Sequence, residues 1–120
     1  MTLLQRGLGA AYSKLLTRSR TDLRDVVGFR AEATPHSSGI DLTLTGILVE
    51  SSKTVAAVKA EPRQDAIELS VIARGIVATG PENCAEFRKR ISVPLTRHGS
   101  YKLMFVNRDG TENEVGTIAW

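Results

Sequence analysis

The chain has 120 residues, 42% of them hydrophobic and 24% charged, with a net charge of +3, the composition of one globular domain able to bury its own core. The single Cys84 excludes an internal disulfide framework and a multi-cysteine zinc site; it fits a reducing compartment and equally a secreted domain without disulfides, and with no signal peptide or membrane segment in view the expectation leans to an intracellular location. No apolar run reaches membrane-spanning length, and the positive excess is local: residues 1–30 hold six basic and two acidic side chains, while the remainder is nearly balanced.

Residues 2–17 have helical periodicity. Leu4, Leu8, Ala11, Tyr12, Leu15 and Leu16 fall on one side at 100° per residue, and Arg6, Ser13, Lys14 and Thr17 fall opposite. Gly7 and Gly9 each cost up to about 1 kcal/mol against Ala, so the helix needs a surface to dock on. The segment lacks the continuous apolar stretch of a secretory signal. Its Arg and Ser content without an acid before Asp22 shares features with an organelle transit peptide.

From Val26 the period becomes two. Val27, Phe29, Ala31 and Ala33 alternate with Gly28, Arg30 and Glu32, which predicts a half-buried strand. Thr34–Gly39 reads as a loop, and Ile40, Leu42 and Leu44 resume the alternation. At Gly46 the alternation breaks, which predicts a bulge or a close backbone approach. A further strand covers Thr54–Ala60, and another presents Ile67, Leu69, Val71 and Ala73 inward. Phe87, Ile91, Val93 and Leu95 share one parity, with Arg88, Arg90 and Ser92 opposite. Lys89 interrupts that pattern and moves the expected strand start to near Arg90. Tyr101–Asn107 and Glu114–Trp120 flank Asp109-Gly110, a β-hairpin signal. Candidate strands thus start near residues 26, 39, 54, 66, 87, 101 and 114, with short connections and no intervening helix pattern. The expectation is a mainly β chain: an antiparallel sandwich or barrel of about seven strands over 26–120, preceded by a helical arm over 1–25.

Leu95, Gly99 and Tyr101, followed by Leu103 and Phe105, have a spacing that resembles the E–F corner of immunoglobulin-like and fibronectin type III-like sandwiches. The resemblance covers about the last third of the chain. It implies an antiparallel immunoglobulin-like sandwich in which the Tyr101 ring joins the core and its hydroxyl bonds to upstream backbone. Two departures stand against it: the only Trp is Trp120, and there is no cysteine pair. The fold hosts adhesion, inhibition and assembly roles alike and selects none of them.

Chemistry-bearing residues are sparse. His36 and His98 sit in expected loops without metal-ligand spacing to Asp41 or Asp109. Ser37, Ser38 and Ser100 lie near histidines, but no nucleophile elbow occurs. A lone Cys84 is more often a small buried side chain than a nucleophile. Asp65, Glu68, Glu82, Glu86, Glu112 and Glu114 read as solvated surface acids. Arg88-Lys89-Arg90 is the densest basic cluster, with Arg97 or Lys102 as expected neighbours. It suits an acidic partner or an edge strand guarded against aggregation. Aromatics at 5% give no stacking platform for nucleic acid.

The expectation is therefore a non-catalytic interaction or assembly module without cofactor or metal. Leu4, Leu8, Leu15, Leu16, Arg88 and Arg90 would contact a protein partner or a second copy. An anionic membrane surface is the less favoured partner, because the apolar stripe lacks Trp and Phe anchors. The alternative is an inhibitor or ligand-binding domain using the loops Thr34–Gly39, Pro62–Asp65 and Arg108–Asn113; a small hydrolase comes last.

Overall fold

The computed structural model describes residues 18–50, 53–75 and 85–120. The helix expected over 2–17, with Leu4, Leu8, Leu15 and Leu16, lies outside the described residues, as does Cys84.

The described chain is mainly β. Its strands are β1 (Arg18–Arg20), β2 (Val26–His36), β3 (Gly39–Leu48), β4 (Lys53–Pro62), β5 (Ala66–Gly75), β6 (Ala85–Pro94), β7 (Ser100–Val106) and β8 (Glu112–Ala119). A single 3-10 turn, Leu23–Asp25, links β1 to β2. Residues 18–25, assigned to the arm from sequence, are part of the β structure: β1 pairs with β5, and the Thr21 amide donates to the Val71 carbonyl at 2.9 Å. Three basic or polar residues carry no period-two signal, which is why β1 escapes a pattern search.

The strands form two sheets on one core. β2, β3 and β6 make a three-stranded antiparallel sheet in that order. In the other sheet β4 pairs with one edge of β5. The opposite edge of β5 takes β7 over Ala66–Leu69 and β1 over Ile72–Arg74, and β8 lies beyond β7. The β5–β7 pair is parallel, against the expectation of an antiparallel sandwich. The cause is the chain path. After β5 the chain crosses to the other sheet and comes back along β6. It therefore re-enters beside β5 in β5's own direction.

Alternation supplies the core. Ile40, Leu42 and Leu44 of β3 and Ile67, Leu69 and Val71 of β5 are fully buried. Tyr101, Leu103 and Phe105 of β7, in the same layer as β5, join the same core. Phe29 meets Phe105 edge-on across the two sheets, with ring centroids 5.1 Å apart, a favoured aromatic geometry. Lys89 does not delay β6. It lies within the strand opposite Leu44 and is half-buried.

Gly46 and Gly28 divide the irregularity expected at Gly46. A Cβ on Gly46 would sit 2.7 Å from the Val26 side chain and 3.1 Å from the Phe87 ring, so the close approach is there. The register shift falls on the partner strand, between Val27 and Arg30, where Gly28 has φ 65°. That bulge reverses parity, burying Val26 and leaving Val27 53% exposed, although sequence alternation puts Val27 inward.

Two glycine substitutions test this geometry. Gly28→Ala places a Cβ in open space at positive φ and should cost about 1 kcal/mol. Gly39→Ala combines φ 151° with a Cβ that would overlap the Val93 carbonyl oxygen, and should cost about 3 kcal/mol or more in urea unfolding. Equal midpoints for the two variants would contradict the register of β3 on β6.

Candidate functional site

The outer face of the three-stranded sheet carries its residues in cross-strand rows. Arg30, Thr45 and Arg88 form one row; Glu32, Thr43 and Arg90 form the next; Thr34, Asp41 and Ser92 form the third. Strands about 4.8 Å apart and rows about 7 Å apart make this a flat charged surface on a rigid support. Arg88 and Arg90 thus project from one face, but Arg97 and Lys102 do not join them. Lys102 lies on the other sheet, and Arg97 donates to the Gln64 carbonyl in a loop. Their actual basic neighbour is Arg30, which nothing in the local sequence links to β6.

Asp41 is the hub of this face. Its carboxylate accepts from the Ser92 hydroxyl at 2.6 Å and from the Arg90 guanidinium at 3.1 Å, and faces His36 Nε2 at 3.4 Å. His36 Nδ1 accepts the Ser38 amide at 3.2 Å, so Nε2 is the ring nitrogen turned toward Asp41. The Ser92 hydroxyl, then the Arg90 hydrogen bond, hold the Asp41 carboxyl below its ordinary range, against desolvation; the charges of His36 and Arg90 add smaller contributions. A histidine, a serine and an aspartate therefore meet, but the aspartate is the common acceptor and the serine gives its proton to it. That order does not activate a nucleophile.

The end of the molecule where β2, β4 and β6 finish holds the corner residues. Leu95 is buried, Gly99 has φ 153°, and Tyr101 is 3% exposed with its hydroxyl donating to the Arg97 carbonyl. Gly99 and Trp120 exchange both backbone hydrogen bonds at 2.9 Å. The Trp120 indole donates to the His36 carbonyl at 2.8 Å and stacks on His98 with centroids 3.9 Å apart. Thr34–Gly39 and Pro62–Asp65 share this end.

Arg108–Asn113 lies at the opposite end, so the three loops do not form one cluster. There Asp22, Arg24 and the 107–113 hairpin loop line a cleft of about 410 Å³. Its polar groups are largely engaged with one another: Asp22 accepts the Arg108 amide, Asn107 accepts the Leu23 amide, and Asp109 accepts the Thr111 amide and hydroxyl.

Among the acids, the fold brings Glu68 and Glu112 together on the outer face of the five-stranded sheet, beside Arg63. The neighbouring Glu112 carboxyl, then the Arg63 guanidinium at 2.6 Å, hold the Glu68 carboxyl below its ordinary range, while Glu68 and desolvation push the Glu112 carboxyl up. The described residues contain no group of three or more His, Cys, Asp or Glu side chains placed to hold a metal ion. No family model, curated protein or solved structure matches this chain.

The Asp41 hub predicts an acid dependence. A carboxyl held below its unfolded pKa stabilises the fold above about pH 3.9, and that contribution is lost as pH falls through the lower folded value. Asp41→Asn should therefore melt below the parent near neutral pH, and the two melting curves should converge in strong acid. A gap that stays constant with pH would remove the charge-based account. At the corner, Tyr101→Phe should cost about 1 kcal/mol for the lost hydrogen bond and Tyr101→Ala about 3 kcal/mol or more through the cavity, both read from denaturant midpoints.

Proposed function

We propose that the chain is a non-catalytic protein-interaction and assembly module, in which an immunoglobulin-like pair of sheets presents a flat charged face to another protein chain. One observation carries this reading: Arg30, Arg88 and Arg90 stand in cross-strand rows over Thr43 and Thr45 on a sheet whose other side is locked into the core. Arginine is enriched in protein interfaces, where a fixed planar fork meets carboxylates with little ordering cost. The buried Tyr101 and its bond to the Arg97 carbonyl support the immunoglobulin-like assignment, and the parallel β5–β7 pair marks a departure from it. The loop-based ligand-binding alternative loses support from the separation of its three loops to opposite ends.

We propose Leu4, Leu8, Leu15 and Leu16, which fall on one side at helical periodicity in the sequence, as the second contact element with protein. The test compares parent, Arg88→Glu/Arg90→Glu and Leu8→Asp/Leu15→Asp by light-scattering mass after affinity purification from the native cells. The parent should elute in an assembly of fixed stoichiometry, and each double variant should leave it while keeping the parent's thermal midpoint. A parent recovered alone as a monomer would oppose the reading.

A further inference from the structure

β2 ends the three-stranded sheet, and no described residue pairs with its outer edge. Its regular portion is bounded by the Gly28 bulge and by Pro35, leaving Phe29–Thr34, about 20 Å of backbone at 3.3 Å per residue, open along that edge. On the outer face of this window stand Arg30 and Glu32, with side chains 73% and 69% exposed and 3.6 Å apart. Ala31, between them, faces inward and adds no bulk.

We infer that β2 is a self-pairing edge: two copies of this chain join β2 to β2 antiparallel about Ala31, making one continuous six-stranded sheet. This rests on the interaction-module reading and names its partner.

Register selects the arrangement. Opposed residues of an antiparallel pair must point to the same face, so their numbers must sum to an even value. A sum of 60 sets Arg30 against Arg30 of the second copy. A sum of 64 sets Glu32 against Glu32. The intermediate sum of 62 sets Arg30 against Glu32 and Glu32 against Arg30, two identical ion pairs around a two-fold axis, with Phe29 opposite Ala33 on the inner side. The two intrachain Arg30–Glu32 contacts, one in each copy, are exposed and exchange for two cross-strand contacts.

The other edges do not offer this. β8 carries Glu112 and Glu114, which oppose each other in the equivalent register, and β6 carries Arg88-Lys89-Arg90. β4 repeats the motif as Lys59-Ala60-Glu61, but the matching register sets Val58 against Pro62 of a second copy, which has no N–H to give. β4 also runs alongside β6 where the sheets approach. Charges on an edge repel a second copy when like signs meet; β2 has both signs in self-complementary order.

The experiment is sedimentation equilibrium from roughly 1 µM to 1 mM, a range suited to a short edge contact. The proteins are parent, Arg30→Glu, Glu32→Arg, and an equimolar mixture of these two variants, each checked for a parent-like melting curve. The parent should dimerise, and each single variant should dimerise roughly tenfold or more weakly. The mixture should recover parent-like dimers, because one variant then brings only acids to the paired positions and the other only arginines. Recovery in the mixture also excludes misfolding as the cause of the loss. If the parent self-associates and both variants match it, the β2 pairing is overturned while an assembly role through another surface stands. A parent that stays monomeric throughout the range overturns the β2 pairing and removes self-association from the functional reading.

Discussion

One edge of β5 is shared by two strands, and the arrangement of the five-stranded sheet follows from that division. β7 occupies it along Ala66–Leu69 and β1 along Ile72–Arg74. Neither alone covers the strand, and β5 is the most completely buried element of its sheet, so an uncovered half would leave backbone groups without partners. The junction is closed by side chains from the loop after β7. Asn107 accepts the Leu23 amide, and Arg108 reaches the Arg20 carbonyl at 3.1 Å and Glu50 at 3.3 Å while its own amide donates to Asp22. The loop that reads as a hairpin turn is therefore also the clamp that holds β1 in place and directs the chain across to β2.

That clamp explains why the acids and amides of residues 107–113 are poor evidence for a ligand site. Their hydrogen-bonding capacity is taken up by Thr111, Asn113 and the segment from Arg20 to Leu23. The three-stranded sheet differs. Asp41 engages Arg90, Ser92 and His36 together, whereas Arg88 has no carboxylate within 4 Å among the described residues. The face thus combines a locked corner with freer charges beside it.

The legible parts of the fold are those in which one residue decides the environment of its neighbour two places on. Ile67, Leu69, Val71 and Ala73 alternate with polar residues because the sheet buries one side, and strands begin at 26, 39, 53, 66, 85, 100 and 112, close to their expected positions. Tyr101 is marked by its distance from Leu95 and by Gly99. The obscure parts depend on long-range pairing. Nothing near Arg18–Arg20 announces a strand, since its partner lies more than fifty residues away. Nothing near Val27 announces that Gly28 turns parity over, because a glycine in a strand fits either a bulge or a close approach, and this chain uses one of each on facing strands. Arg30 and Arg88 become row-mates only through Thr45 of the strand between them.

Lys89 shows how local conflict with a pattern can carry information about position in a sheet. A lysine of inward parity in a central strand would have its ammonium trapped among apolar side chains, at a cost far above the value of one strand position. In β6 the same residue is half-buried, and an edge position lets a long stem lie on apolar surface while its charge reaches water. An inward charge is therefore a signature of an edge, and it makes that edge unwelcoming to another strand, since a docked neighbour would close the path to water. By the same logic the inward positions of β2, filled by Phe29, Ala31 and Ala33, place no charge in the way of a neighbour. The two edges of one three-stranded sheet thus differ in kind: β6 is closed by what points inward, and β2 is left open by what does not.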